Sequence, residues 1–442
     1  MNSSNAEDKT LVLTVGTGNA DDLENSLYAP LLKSIGTNSW DRIVLLPSQR
    51  TVEQANEIRS RIAKLSAEIC PIPDAGSEND TDASFAHFDA ILGEIIESDG
   101  VAPKAITLDF TRGTKAMSAA LVLAGVARGI PVLRYIEGKR GKRGSVVAGT
   151  EDIREVRTEV ASARQQINLA KHLMLRGDFE AVRTMHTEMS LTLYNLPKQL
   201  RNRLNAYAHV AAIYAAWDRF DYCRACKLLS RHRKTVSAAG QFKPAPEMAQ
   251  WMGRLAAPLD RDRHEEMAAY LRRLACDLLA NAERRYRDGL FEDAGVRWYR
   301  LLELIGQARL FDHGYDSGQL PENDPSVKGF NDKLGKKSSP LTPNHKMTGM
   351  LQASRHQTAR FLKYLGDPLA KRLLHEDCGD YVKARNDGLL AHGFNAHASR
   401  LTQERIRSVI GTFEQLLCED RHEAREWLAV ARSLDFRSLI EA

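Results

Sequence analysis

The first 150 residues alternate short apolar runs with longer periodic stretches. Leu11–Val15 (LVLTV), Arg42–Pro47 (RIVLLP), Ala105–Phe110 (AITLDF) and Pro131–Ile136 (PVLRYI) are near-continuous in Val, Ile and Leu, the pattern of strands covered on both faces. Between them, TVEQANEIRSRIAKL and SFAHFDAILGEIIES carry apolar positions at helical spacing. This alternation predicts a Rossmann-like α/β domain over residues 1–150, a parallel sheet with helices on both faces. GKRGKRGSVVAGTED then predicts a basic, Gly-rich loop or hairpin that ends the unit.

From about Glu155 the strand pattern disappears. QQINLAKHLMLRGDFEAVRTMH, NAYAHVAAIYAAWDRFDYCRACKLL and AERRYRDGLFEDAGVRWYRLLELIGQ all have helical spacing. Two of them contain a Gly-Asp-Phe-Glu or Gly-Leu-Phe-Glu-Asp turn, similar to helical-hairpin repeats, although a stable array needs about three copies. A Gly-, Pro-, Ser- and Lys-rich stretch at about 312–346 is expected to form a mobile loop or insertion. The chain therefore divides into an α/β domain at 1–150, an all-α region at 151–262 and a second all-α domain at 263–442.

Composition narrows the class without fixing the activity. The chain has 442 residues, 43% hydrophobic and 27% charged, typical of a globular protein of two or three domains. A net charge of +5 permits a polyanionic partner without requiring one. The longest apolar run, Ala116–Ala127, is far short of the roughly 20 residues that span a bilayer. MNSSNAEDKT lacks the basic-then-apolar order of a secretory segment. The six sparse cysteines are expected to be reduced in a cytoplasm. Cys223 and Cys226 form a lone CxxC in a helical pattern and are expected to be buried structural thiols rather than zinc ligands. No His/Asp/Glu cluster has convincing metal spacing, so no metal or other cofactor is expected.

Two segments have the make-up of chemical sites. Val15-Gly16-Thr17-Gly18-Asn19 follows the first strand, and Asp109-Phe110-Thr111-Arg112-Gly113-Thr114-Lys115 follows a later strand and opens a helix. In an open α/β sheet such loops lie outside the carboxyl ends of the strands, where ligands bind. Glycines admit close backbone approach, threonine hydroxyls donate hydrogen bonds, and Lys115 adds charge for an anion. Neither the dinucleotide fingerprint nor a P-loop is matched. Spacing alone leaves open both a phosphate or nucleotide pocket and a pair of tight turns with a helix cap.

A third such segment is Arg385-Asn386-Asp387-Gly388-Leu389-Leu390-Ala391-His392-Gly393. Seven helical steps return to within roughly 20° of the start, so Arg385 and His392 share a stripe, about 10 Å apart along the axis. A permanent cation and a group titrating near neutrality suit a phosphodiester, and two copies at a dimer axis would complete a site that one copy holds awkwardly. Arg297–Glu303 (RWYRLLE) could also touch RNA through Arg297 and Arg300, but packing of Trp298, Leu301 and Leu302 beneath solvated charges is the simpler expectation. The Lys333–Lys337 run and the Lys139, Arg140, Lys142, Arg143 cluster are expected to be solvated loops.

Together these residues resemble the CRISPR-associated CARF–HEPN ribonucleases, the ancillary RNases of type III systems. GTGN and DFTRGTKAMSAAL resemble the two ligand-loop motifs of a CARF domain. FEDAGVRWYRLLELIGQARL resembles the opening helix of a HEPN domain, and RNDGLLAHG resembles the HEPN signature with a six-residue gap. The resemblance implies a homodimer that binds a cyclic oligoadenylate through Gly16, Thr17, Gly18, Asn19, Thr111, Arg112, Gly113, Thr114 and Lys115. It implies metal-independent cleavage of single-stranded RNA, not DNA, to a 2′,3′-cyclic phosphate. His392 would move a proton or hold the phosphate, Arg385 would stabilise transition-state charge, and Asn386 would orient the pair. Two alternatives stay open: a ligand-sensing regulator that binds RNA or protein without cutting, and a CARF domain that also cleaves its ring ligand.

Overall fold

The computed structural model describes residues 9–62, 65–139, 150–190, 196–257, 259–334, 340–374 and 403–439. They fall into two units: residues 1–171 with 184–205, and residues 172–183 with 206–442.

In the first unit, β1 (Thr10–Val15), β2 (Arg42–Pro47), β3 (Ser66–Ile69), β4 (Ile106–Asp109), β5 (Val132–Glu137) and β6 (Asp152–Arg157) form one sheet in the order β3-β2-β1-β4-β5-β6. The first five strands are parallel, and β6 returns antiparallel to β5. Of the loop or hairpin expected to end the unit, the structure has a hairpin, with residues 140–149 of its loop outside the described residues. The sequence pattern marked four strands; β3 and β6, the two sheet edges, are additional.

Alternation along β1 splits the core in two. Leu11, Leu13 and Val15 face one layer with Leu27, Leu31 and Ile58, supplied by α1 (Ala29–Gly36) and α2 (Val52–Arg61) with the turn before α1. Val12 faces the other with Phe88, Leu92, Met117 and Leu121, from α3 (Thr81–Gly93) and α4 (Lys115–Ala127). Gly125 lets α4 lie close on β4, since a Cβ there would come 2.5 Å from the Leu108 side chain.

Two helices, α5 (Glu159–Arg176) and α6 (Phe179–Ser190), follow β6. They are joined at Gly177, whose φ of +78° suits the sharp turn expected there. Next come α7 (Lys198–Asp218), α8 (Tyr222–Arg231) and α9 (Pro246–Leu255). Asp221 caps α8 by accepting from the Arg224 amide at 3.1 Å. The CxxC does lie on a helix, but Cys223 is exposed and Cys226 half-buried. The expected burial fails for Cys223, because it occupies the solvent side of the first turn.

The second unit is built around a hairpin of α10 (His264–Arg287) and α11 (Phe291–Asp312), turning at Gly289 with φ +78°. Its core includes Ala275, Cys276, Leu279, Trp298, Leu301 and Ile305. Asp277 of α10, fully buried, accepts from Trp217 Nε1 at 2.8 Å, Trp251 Nε1 at 3.0 Å and the Tyr222 hydroxyl at 2.7 Å. One carboxylate thus ties α7, α8 and α9 to the hairpin. The stretch after α11 is structured in its described residues. It carries α12 (Pro325–Leu334) and a small sheet of β7 (Leu320–Pro321), β8 (Thr342–Pro343) and β9 (Met350–Gln352) in the order β7-β9-β8. Then follow α13 (Arg355–Tyr364), α14 (Ala370–Leu373), α15 (Gln403–Asp420) and α16 (Ala424–Arg432).

Candidate functional site

Strand order reverses at β1: β2 and β3 lie on one side of it, β4 and β5 on the other. Ligand crevices of open α/β sheets open outside such a switch point. Both loops singled out in the sequence emerge there, at the carboxyl ends of β1 and β4. They touch. A Cβ on Gly16 would lie 2.6 Å from the Gly113 amide nitrogen, so only glycine lets the two backbones meet. The Thr14 hydroxyl, buried at the end of β1, donates to the Arg112 carbonyl and pins the second loop from below.

The loop after β4 is shaped by side chains that precede or flank it. Asp109 is fully buried and accepts from the Thr111 amide at 2.9 Å and from the Thr111 hydroxyl, an Asx-type turn. The same hydroxyl oxygen accepts from the Ile136 amide at 3.0 Å. Thr114 caps α4 by accepting from the Met117 amide at 3.1 Å while its hydroxyl donates to the Glu78 carbonyl. Both threonine hydroxyls therefore build the loop, where the sequence reading had them facing a ligand. Gly113 takes φ +126° to complete the turn.

In the first loop Gly18 has φ +66°, and the Asn19 amide donates to Ser26 Oγ at 2.7 Å. Thr17 and Lys115 are exposed, and among the described residues Lys115 makes no ion pair. A cation in the first turn of a helix opposes the helix dipole, so Lys115 favours an anion at this edge.

Beneath the loops lies a buried charge pair that sequence reading did not single out. Arg134 on β5 comes 3.4 Å from Asp109, donates to the Ser34 carbonyl at 2.7 Å and stacks its guanidinium 5.0 Å from the Trp40 ring centre. Ser34 also donates to Asp109. Burial pulls the Arg134 guanidinium below its ordinary pKa, and Asp109 pulls the other way. The signal was an arginine inside the apolar run PVLRYI, since a charge in a buried strand demands a partner.

In the second unit, Trp298, Leu301 and Leu302 are buried in the hairpin core. Arg297 donates to Asn281 Oδ1 at 2.6 Å, and Arg300 pairs with Glu303 at 2.7 Å. This segment is packing beneath partnered charges, as expected. Arg385, Asn386 and His392 lie outside the described residues, as do Arg140, Lys142, Arg143 and residues 335–339. On the described residues bracketing 375–402, Asp367 before α14 and Asp420 at the end of α15 are both buried. Arg309 of α11 reaches both, at 2.6 Å to Asp367 and 3.2 Å to Asp420. Arg272 of α10 binds Asp420 at 2.6 Å, and His313 Nε2 lies 2.8 Å from Asp367.

Among the described residues no group of three or more His, Cys, Asp or Glu side chains could hold a metal ion. Among them, too, no helix is long and apolar enough to cross a membrane.

Residues 263–417 match the family model described as the Csm6 HEPN domain. No curated protein matches the sequence. Among solved structures, the chain is similar to the Enterococcus italicus Csm6 bound to cyclic hexa-2′-fluoro-hexa-dAMP, with a TM-score of 0.55 and 13% identity over 97% of this chain and 98% of that one. It is also matched to Can2 from Sulfobacillus thermosulfidooxidans in complex with cyclic tetra-adenylate, at 11% identity over 60% of this chain and 66% of that one. The TM-score there is 0.23, too low to speak for a shared fold. Residues 263–417 thus match a Csm6-type HEPN domain behind a Rossmann-like sheet, and over nearly its whole length the chain shares the fold of that Csm6.

Proposed function

We propose that this protein is a homodimeric, cyclic-oligoadenylate-activated endoribonuclease that cleaves single-stranded RNA without a metal ion. The observation that carries the reading is the contact of the Gly16 and Gly113 loops at the sheet's switch point, with Lys115 beside them, in a chain whose later residues match a HEPN nuclease domain. A preformed, glycine-lined edge with an unpaired lysine suits the phosphates of a ring. The similar Csm6 is bound to a six-membered ring analogue, which makes the hexamer the first ligand to test.

For the nuclease step, the RNA 2′-hydroxyl attacks the adjacent phosphorus, and the bond from phosphorus to the 5′-oxygen breaks. The products are a 2′,3′-cyclic phosphate and a 5′-hydroxyl; the proton lost by the 2′-oxygen is balanced by one gained at the 5′-oxygen. His392 serves proton transfer or holds the phosphate, Arg385 stabilises the extra charge on the pentacoordinate phosphorus, and Asn386 orients them. The domains assigned are 1–150, 151–262 and 263–442.

Cleavage of end-labelled single-stranded RNA in EDTA, with and without cyclic oligoadenylates of three to six units, tests the whole reading. Ring-dependent product that survives EDTA is expected. Loss of all product in EDTA would remove the metal-independent chemistry. RNA bound but never cut with any ring would leave a sensing regulator instead. Arg385→Ala and His392→Ala should each lower the cleavage rate by at least about a hundredfold while ring binding stays as in wild type. Full activity in either variant would displace the assigned site.

A further inference from the structure

The ligand edge has a third wall that neither sequence motif contains. β2 runs parallel to β1 in register, Val15 opposite Pro47. The turn after β2, Ser48-Gln49-Arg50-Thr51, therefore stands beside Gly16–Asn19 on the same carboxyl edge. It is fastened on both sides. The Thr51 hydroxyl donates to the Val15 carbonyl at 2.9 Å, the last backbone acceptor before the GTGN loop. The Ser48 amide donates to Thr51 Oγ1 at 2.9 Å and closes the turn on itself. On the far side, the side-chain Nε2 of Gln49 donates to the Ile72 carbonyl at 2.8 Å and the Pro73 carbonyl at 3.2 Å. That holds the chain leaving β3, which continues to Glu78, whose carbonyl accepts from Thr114. The β1, β2, β3 and β4 ends are thus linked by hydrogen bonds into one rim.

Arg50 is the charged residue this turn displays. It is exposed, and among the described residues no ion pair involves it. Four other arginines of the unit are neutralised: Arg42 by Glu68 and Asp99, Arg61 by Glu24 and Glu57, Arg128 by Asp89 and Glu97, Arg154 by Glu137 and Asp152. Lys115, at the start of α4 where the loop after β4 ends, is likewise without an ion pair among the described residues. β2 and β4 are the two neighbours of β1, so the turns carrying Arg50 and Lys115 start about 10 Å apart, two strand spacings, with the Gly16–Gly113 contact between them. A rigid turn holding one unpaired cation on each side of a glycine floor fits a ligand with more than one phosphate.

Resting on the ligand reading above, we propose that Arg50 is a binding residue of this edge, contacting a phosphate of the cyclic oligoadenylate on the opposite side of the glycine contact from Lys115. Gln49 is a positioning residue that fixes the turn against the chain after β3. Hydrogen bonds to charged groups of this kind correspond to about a tenfold to hundredfold change in affinity.

The test is titration calorimetry of the full chain with cyclic oligoadenylates of three to six units, at low and moderate salt. The proteins compared are wild type, Arg50→Ala, Arg50→Lys, Lys115→Ala and, as a net-charge control, Arg59→Ala. Arg59 is exposed on α2, donates to the side chain of the neighbouring Asn56 at 2.7 Å, and makes no ion pair among the described residues. For the ring that wild type binds best, Arg50→Ala should weaken affinity about tenfold or more with a shallower salt dependence. Arg50→Lys should recover part of the loss, and Arg59→Ala should match wild type. Thermal unfolding of Arg50→Ala should coincide with wild type, because no ion pair is removed. Wild-type affinity in Arg50→Ala, or an equal loss in Arg59→Ala, overturns the assignment of Arg50 while leaving the ligand reading intact. Failure of folded wild type to bind any ring overturns the ligand reading itself, and this assignment with it.

Discussion

At the scale of single residues, the proposed ligand edge is decided by two glycines and the groups that lock them. A methyl at residue 16 meets backbone, the Gly113 amide nitrogen at 2.6 Å, and cannot be relieved by a side-chain rotation. Residue 113 sits at φ +126°, with the Thr14 and Met117 side chains 3.3 Å from any Cβ. Gly16→Ala and Gly113→Ala are therefore expected to lower unfolding free energy by about 1–3 kcal/mol each in urea titrations and to abolish ring binding by calorimetry. Wild-type behaviour of both would mean that the loops separate freely, and a preformed site would be lost with them. The glycines were legible in the sequence because GTGN and TRGTK stand out directly after apolar strands. The assignment of the threonines was half legible. Thr111 and Thr114 were recognisable as hydrogen-bonding residues, but whether a hydroxyl faces a ligand or its own loop depends on Asp109, Ile136 and Glu78, which are two to 36 positions away. Arg50 was not legible at all: its turn gains meaning only once β2 is placed beside β1.

At the scale of elements, the central strands were readable because they are apolar on both faces, whereas β3 and β6 hid for the opposite reason. Both are sheet edges: Ser66–Ile69 is only four residues long and half exposed, and Asp152–Arg157 is largely exposed and charged, features that keep an edge from pairing with another chain. α12 was missed because Gly, Pro and Lys dominate its surroundings, yet Val327, Phe330 and Leu334 fall on one buried stripe. The charge network around α11 is an element-scale device of another kind. Arg309 joins Asp367, ahead of α14, to Asp420, at the end of α15, across 53 positions of sequence that no local pattern connects. Burial opposes the charge on Asp367, but Arg309, His313 and the Leu369 amide outweigh it and hold the carboxyl below its ordinary pKa. A carboxylate depressed in the folded state adds stability above the unfolded pKa, about 3.9, and that stability is lost as pH falls through the folded value. Asp367→Asn is therefore expected to cost roughly 2 kcal/mol at neutral pH, with the gap to wild type closing below about pH 4. Urea unfolding of both proteins from pH 3 to pH 7 measures this. Asp277 has its pKa raised by burial and shifts the other way, but it is common to both proteins and cancels in the difference. A gap unchanged at pH 3 would show that the charge of Asp367 carries none of the effect.

At the scale of the whole molecule, the proposed activity makes a stoichiometric claim. If each RNA cut needs Arg385 and His392 of two subunits around one site, a dimer with one inactive subunit has no competent site. Activity of a mixture then follows the fraction of dimers in which both subunits are wild type. When wild type and Arg385→Ala protein are mixed in equal amounts and allowed to exchange subunits, wild-type pairs are about a quarter of all dimers. If each subunit cut alone, half of the subunits would remain active. The gap between the two curves is widest at this equal mixture, because one falls with the square of the wild-type fraction and the other linearly. The measurement is the initial RNA-cleavage rate at saturating ring, at fixed total protein well above the concentration where dimers dissociate. Light scattering should confirm a mass about twice 49.4 kDa. A squared dependence is expected. A linear one would assign a complete site to each chain and remove the dimer from the chemistry. Running the same mixtures with Lys115→Ala in place of Arg385→Ala then separates sensing from cutting. Under partial ring saturation, a linear dependence with the sensor variant beside a squared one with the nuclease variant would mean that a subunit which cannot bind ligand still supplies its half of the nuclease site. Squared dependence in both would make ligand binding, like cutting, a property of the pair, which is the coupling between two distinct sites that allosteric activation requires.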